Sequence, residues 1–331
     1  MASIKQIAQD IGVSAATVSN ALTGKGRVSK ELAERIRTRA EELGYRPSNA
    51  ARALKTGQSG ILGLVMPDLT NPLFPRIAQN LSIAAEARGL GILIADSRGS
   101  EARQNEALHQ LVGRGVDGVV IVPQKGTSPE APGLPMVTIN TARDPRNTVS
   151  ADHVGGGALI GAHVRALGHR NVVLLGGDRV SDVQQDRMRG MREGLGADAG
   201  VETEWGDAGL AALPERVGQG ATAILATSDL LALAALSHLA RAGLGVPRDV
   251  SLTGFDDLPF ATAMHPALTT TAQDVSAIAD YALEVLTGLI AGAERPETGH
   301  AVPMRLVPRA STAAPRTDTR PKIPTNTERL P

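Results

Sequence analysis

Two rhythms of apolar and polar positions divide the chain. Over the first 45 residues apolar side chains recur at three- and four-residue steps: Ile4, Ile7, Ala8 and Ile11, then Val18 and Leu22, then Leu32, Ile36, Ala40 and Leu43. That is the spacing of amphipathic helices. Ser3, Ser14 and Ser29 stand where N-caps belong, Gln6 takes the capping-box position after Ser3, and Gly12 and Gly44 stop two of the runs. Three short helices are predicted, the first two joined by a Gly-containing turn as in a helix-turn-helix. Pro47 ends this region, and Ser48 can cap one or two further turns running to about Leu54. So short a helix does not persist alone, because nucleation is costly. It is predicted to order only against a partner.

From Ile61 the rhythm changes to short apolar runs: 61–65, 91–95, 118–122, 136–140, 171–175, 223–227 and 250–254. Amphipathic stretches at 73–88, 101–113, 154–167 and 229–241 lie between them. Continuous apolar strands alternating with helices predict parallel sheets covered on both faces. The fold class is therefore an all-α head followed by an α/β body. The span is generous for one sheet, so two similar lobes are expected. The boundaries read from the sequence are a head over 1–46, a linker over 47–59 and a body over 60–310. The first lobe takes 60–151 and 271–300, and the second takes 152–270 and 301–310. Residues 311–331, rich in Pro and Thr without aromatics, are expected to be a disordered tail.

Charge sharpens this division. The 331 residues carry 34 basic and 34 acidic side chains, but ten basic against five acidic fall in residues 1–59, leaving 24 against 29 beyond. A basic head on an acidic body is the electrostatic footprint of a nucleic-acid module. There is no cysteine, the seven histidines form no close ligand pair, and no apolar run reaches membrane length. Neither a metal site nor a cofactor is expected, and a soluble cytoplasmic protein is the default. An enzyme is the first rival reading, but none of the GxSxG, GxGxxG or GxxxxGK[ST] signatures is present. The "GGG" at 155–157 opens a helix with a spacing that fits no phosphate loop.

Ligands of open parallel sheets bind beyond the carboxyl ends of the strands. That rule selects Asp68, Asn71 and Phe74 after the first run, Gln124 after the third and Asn140 at the end of the fourth. It further selects Arg187, Ser228 with Asp229, and Asp256 in the second half. Amides, carboxylates and a guanidinium beside an aromatic suit a polyhydroxylated ligand. Arg187 and Asp256 are expected to face one crevice as solvated side chains.

The opening "IKQIAQDIGVSAATVSNALTGKGRVSKELAERIRTRAEELGYRPSNAARALKTGQS", followed in order by "ILGLVMPDLTNPLF", "GVDGVVIVP", "LGHRNVVLLGG", "RMRGM" and "GFDDLPFA", resembles the lac repressor and purine repressor family of bacterial transcription regulators. The resemblance covers roughly residues 3 to 312. It implies a body of two periplasmic-binding-protein-type lobes crossed by three strands, and a homodimer on a palindromic operator. It implies as partners double-stranded operator DNA and a small effector, a sugar foremost and a purine as the other class, with no membrane. By resemblance the second helix reads the major groove. Ala15, Ala16 and Asn20 take base-reading positions, Thr17 and Ser19 phosphate or packing positions, and Ser14, Arg27, Tyr45 and Ser48 belong to the same surface. Asn20 stands where many members carry arginine; Arg reads guanine whereas Asn prefers adenine. Leu54 matches a minor-groove wedge and Arg52 a phosphate contact. In the cleft, Arg187 and Asp256 match the effector-binding arginine and carboxylate. Ser228 replaces a common asparagine and Asn140 a common aspartate, and Trp205 is either the stacking aromatic of the second lobe or a core residue. The second rival, a solute-binding protein of the same two-lobed fold, leaves the basic head unexplained.

Overall fold

The computed structural model describes residues 3–23, 26–45, 57–129, 133–140 and 148–316. The chain divides into two compact units, Met1–Ser59 and Gly60–Pro331. In the first unit three helices form: α1 (Ile4–Ile11), α2 (Ala15–Thr23) and α3 (Lys30–Glu42). The Oγ atoms of Ser3, Ser14 and Ser29 accept from the backbone N–H of Gln6, Thr17 and Leu32. The four free N–H groups at each start are thereby partly satisfied. Ile7, Val18 and Ile36, all fully buried, meet with Ala8, Ala21, Ala33 and Ala40 in one small core. Arg39 of α3 clasps Asp10 of α1 at 2.7 Å and Glu42 at 2.8 Å. That hydrogen-bonded guanidinium holds the Asp10 carboxyl below its ordinary value.

The second unit begins with β1 (Ile61–Met66), α4 (Leu73–Ala87), β2 (Gly91–Asp96), α5 (Glu101–Gly113), β3 (Gly118–Ile121), β4 (Met136–Ile139) and β5 (Thr148–Ala151). The chain then enters a second lobe through α6 (His153–Ala166), β6 (Asn171–Gly176), α7 (Asp182–Leu195), β7 (Gly200–Trp205), α8 (Gly206–Gly218), β8 (Ala223–Ala226), α9 (Asp229–Arg241) and β9 (Ser251–Thr253). The short α10 (Phe260–Ala263) and β10 (Thr270–Ala272) follow. The remaining elements are α11 (Val275–Ile290), β11 (His300–Val302) and β12 (Arg305–Val307). The first lobe holds a parallel sheet in the order β11-β5-β4-β3-β1-β2, the second a parallel sheet β7-β6-β8-β9. β10 pairs antiparallel with β12.

Both faces of each sheet are buried, as the apolar runs require. In the first lobe Leu62, Leu64 and Met66 join Ile77, Leu81, Ile278 and Leu283 on one side, while Val65 joins Leu108 and Leu111 on the other. In the second, Val173 and Leu175 face Leu213 and Leu239, while Val172 and Leu174 face Ile160, Met188 and Met191. The chain passes between lobes three times: between β5 and α6 at Asp152, between β10 and α11 at Gln273, and between β11 and β12. Because β11 pairs with β5, the third crossing follows residue 302, and residues 301 and 302 belong to the first lobe rather than the second.

The tail expected from residue 311 is corrected at its start. Ser311 is buried; its Oγ donates to the Leu252 carbonyl at 2.6 Å and accepts from Thr269 N at 2.8 Å. The carbonyl of Ala313 accepts from Ser251 Oγ and lies 2.8 Å from Nε2 of the buried His169. Residues 311–313 thus satisfy polar groups along the edge strand β9, which explains why a polar, Pro-flanked sequence is ordered there.

Candidate functional site

In the head, Ala15 and Ala16 are exposed at the start of α2, with Thr17, Ser19 and Asn20 half-buried beside them and Val18 and Ala21 beneath in the core. Ser14 and Thr17 bond to each other at 2.9 Å besides forming the cap. A Cβ built on Gly26 would lie 3.0 Å from Nδ2 of Asn20, and Gly26 has φ +88°. The side-chain amide of Asn20 therefore rests on a turn that only glycine suits. Arg27 is exposed on the same connection, and Tyr45 packs half-buried on the head core. Ser48, Arg52 and Leu54 lie outside the described residues.

In the body the strand-end rule brings part of its selection together. Arg187, on α7, is 4% exposed, and its guanidinium holds both carboxylate oxygens of Asp256, at 2.8 and 3.3 Å. The same group donates to the Thr227 carbonyl at 2.7 Å and to Nδ1 of His153 at 3.4 Å, and stacks 4.0 Å from the Phe255 ring centroid. Asp256 also accepts from Nε2 of Gln273 at 2.6 Å. The expectation of solvated side chains is corrected: Arg187 and Asp256 form a buried ion pair.

His153 extends this chain of contacts. Because its Nδ1 accepts from Arg187, its Nε2 carries the proton and donates to Asn140 Oδ1 at 3.3 Å. Burial, and then the neighbouring guanidinium, push the imidazole well below its ordinary value, so it is neutral. Burial likewise raises the Asp256 carboxyl against the opposing pull of Arg187. Asp229 is buried too, accepts from Leu258 N and Thr270 Oγ1, both at 2.7 Å, and is pushed up to about 7 by burial and by Asp256. Asn140, Asp256 and Asp257 have φ of 61°, 110° and 50°. Such backbone is sparsely populated by L side chains and gathers at functional sites.

The polar chain thus runs from Asn140 in the first lobe through His153 and Arg187 to Asp256 and Gln273. His153 follows the first crossing and Gln273 lies at the second. Beside it opens a cavity of about 380 Å³, walled by Asn140, Ser150, Asp152, His153, Asp182 and Asp186 among others. From the first lobe, Arg76 of α4 donates to the carbonyls of Asp256 and Asp257 at 3.4 and 3.1 Å. Lys125 reaches Asp178 of the second lobe at 3.5 Å.

The other selected residues have local partners. Asn71 Oδ1 accepts from Leu73 N at 3.1 Å, and Asp68 Oδ1 closes a turn on Thr70. Gln124 donates to Ser97 Oγ and the Pro67 carbonyl within its own lobe, Phe74 packs on the first-lobe core, and Ser228 caps α9. Trp205 ends β7. It is half-buried against the second-lobe core in space that a side chain on Gly176 would take, with the Arg179 guanidinium 5.8 Å from its ring.

Residues 3–48 match the family described as bacterial regulatory proteins, lacI family, and residues 162–312 match the periplasmic binding protein-like domain. The HTH-type transcriptional regulator MalR of Streptomyces coelicolor is 32% identical over 336 residues, covering 94% of this chain and 96% of that protein. The ribose operon repressor of Halalkalibacterium halodurans is 27% identical, covering 94% and 97%. The lac repressor dimer bound to operator and the anti-inducer ONPF superimposes with a TM-score of 0.80 at 25% identity, covering 95% of this chain and 99% of that one. The CelR–cellobiose complex gives 0.69 at 25% identity, covering 94% and 100%. No helix among the described residues is long and apolar enough to cross a membrane.

Proposed function

Because the chain belongs to the lacI family of bacterial regulatory proteins, we propose that it is a repressor that binds a palindromic operator as a homodimer and changes its operator affinity when a small sugar occupies the interlobe cleft. The observation that carries the ligand control is the Arg187–Asp256 pair, held through His153 and Gln273 to residues at two of the three crossings. A ligand that touches the pair acts where the lobes must move, and a ligand shifts an equilibrium only through differential affinity for its two states. The sugar class is supported by the ribose operon repressor and the CelR–cellobiose complex among the similar proteins. The dimer is supported by the lac repressor dimer and by exposed Ile83 and Tyr281 on α4 and α11 of the first lobe.

We read the cleft as a binding site rather than a catalytic one, since its buried carboxylate is neutralised by Arg187 and its buried imidazole already accepts from that guanidinium. A protein acting on operator DNA works in the cytoplasm. The DNA-reading assignments of Ser14, Ala15, Ala16, Thr17, Ser19, Asn20, Arg27 and Tyr45, and of Ser48, Arg52 and Leu54, rest on the resemblance together with the exposed face of α2. Selection of binding sites from random duplex DNA tests them. Wild type is expected to yield a two-fold symmetric site, and Asn20→Arg to change the preferred base at one position of each half-site by about 1–3 kcal/mol. Identical selected sequences would remove Asn20 from the readout.

A further inference from the structure

We infer that Gly26 sets the base preference of the head by acting through Asn20: the side chain that position 26 lacks leaves the slot in which the Asn20 amide is aimed. Gly26 is in this sense a positioning residue. The inference rests on reading Asn20 as a base-contacting residue.

The first observation is what a side chain at position 26 would meet. The three heavy atoms nearest to a Cβ there all belong to Asn20: Nδ2 at 3.0 Å, Cγ at 3.2 Å and Cβ at 3.5 Å. Gly12 and Gly44, the other two described glycines of the three-helix head, behave differently. Their φ values are +77° and +61°, and a Cβ on either meets nothing within 4 Å. Those two are glycines for their backbone alone; the N–H of Gly12, for instance, closes α1 onto the Ala8 carbonyl. Gly26 combines a φ of +88° with a bare Cα that Asn20 lies against.

The second observation is which group has to give. α2 is held from beneath by the buried Val18 and Ala21, and its start is closed by the cap from Thr17 N to Ser14 Oγ at 3.0 Å. The atoms facing position 26 are instead the end of a side chain with two free torsions. An added methyl group is therefore relieved by turning Asn20 a few tenths of an ångström, not by moving the helix.

The third is why so small a turn matters. Asn reads adenine through two hydrogen bonds in one plane, accepting from N6 and donating to N7. Hydrogen bonds weaken steeply away from linear geometry. Ala15 and Ala16, exposed at the start of the same helix, carry only methyl groups. Of these three positions, Asn20 alone has an orientation to be fixed.

The test uses the full chain as wild type, Gly26→Ala, Asn20→Ala, the double variant of both, and Gly44→Ala. Sites are selected from random duplex DNA, and affinities are then measured at fixed salt for the selected site and its single-base variants. Asn20→Ala marks the base position that Asn20 reads. Gly26→Ala is expected to lose at least about fivefold of the preference at that same position in each half-site, the low end of what one base contact discriminates. Preferences at the other positions are expected to stay. In the Asn20→Ala background, Gly26→Ala is expected to change no preference. Gly44→Ala, which adds backbone strain without a neighbour, is expected to keep the wild-type preference. Should Gly26→Ala not fold, Gly26→Asn brings the same Cβ on a residue that tolerates positive φ. A position-26 variant that keeps full wild-type discrimination overturns the inference, as does one that shifts preference equally without Asn20. If Asn20→Ala shifts the preference and the position-26 variant does not, the inference alone fails. If Asn20→Ala selects the wild-type site, the reading of Asn20 fails and the inference with it.

Discussion

Two buried carboxylates set the behaviour of individual residues in the body. Arg187→Ala leaves Asp256 buried without its counter-ion, so the variant is expected to lose about 3–5 kcal/mol of stability as well as its ligand response. Chemical denaturation of the two proteins measures the first effect; a loss below 1 kcal/mol would contradict the buried pair. Asp229 makes a pH prediction. Its carboxyl is raised in the folded protein to about 7 from an ordinary value near 3.8. The folded state therefore binds the extra proton between those values, and stability from this residue is present at low pH and lost as pH rises through about 7. His153 works oppositely: its depressed imidazole favours the folded state above its ordinary value of 6.5, and that contribution is lost as pH falls below it. The difference in stability between wild type and Asp229→Asn isolates the carboxyl. It is expected to change by a few kcal/mol between pH 4 and pH 8 in the direction stated, with about 4 as the upper bound. A flat difference would show that Asp229 titrates as an ordinary carboxylate.

At the scale of elements, the position of Arg187 follows from how closely α6 and α7 pack. A Cβ on Gly157 would collide with the Arg187 carbonyl, and one on Gly190 with the Val154 carbonyl. The two backbones touch without side chains between them, which brings the first residue of α6, His153, onto a residue of α7. Gly190→Ala is expected to cost upwards of about 3 kcal/mol, more than an ordinary helical Gly→Ala could return, because backbone cannot move aside. Thermal unfolding checks this, and a neutral or stabilised variant would contradict the packing. The glycines were visible in the sequence as "GGG" at 155–157 and "RGMREG" at 189–194, but their use emerges only when the two helices are paired. The strand-end rule found Arg187, Asp256 and Asn140 because the strands before Asn140 and Asp256, and the one leading towards Arg187, are continuous apolar runs. It missed His153 and Gln273 because β5 and β10 read "TVSA" and "TTA", too short and polar to register. Had those strands been seen, the same rule would have selected both residues. β7, "GVETEW", was missed as an edge strand with a polar face. Arg76 left no signal, being one charged residue in the first turn of an amphipathic helix.

At the scale of the whole molecule, one chain carries a basic head that presents a short-side-chain helix face and a two-lobed body whose central ion pair is tied to its crossings. The fold class and the division near residue 59 were legible because composition, charge and periodicity all change there. That Arg187 and Asp256 lie together was legible, but their burial was not, since sequence does not show that His153, Thr227 and Phe255 close over the pair. The central claim is that one cleft controls one DNA-binding surface. The measurement that tests it most directly is the affinity of full-length protein for its selected operator, with and without D-ribose, maltose and cellobiose, each at a concentration shown by calorimetry to fill the cleft. The account predicts that a sugar that binds the cleft changes operator affinity by about 1–3 kcal/mol, five- to 150-fold, while affinity for unrelated duplex DNA changes far less. Saturating cleft occupancy that leaves operator affinity unchanged would contradict it.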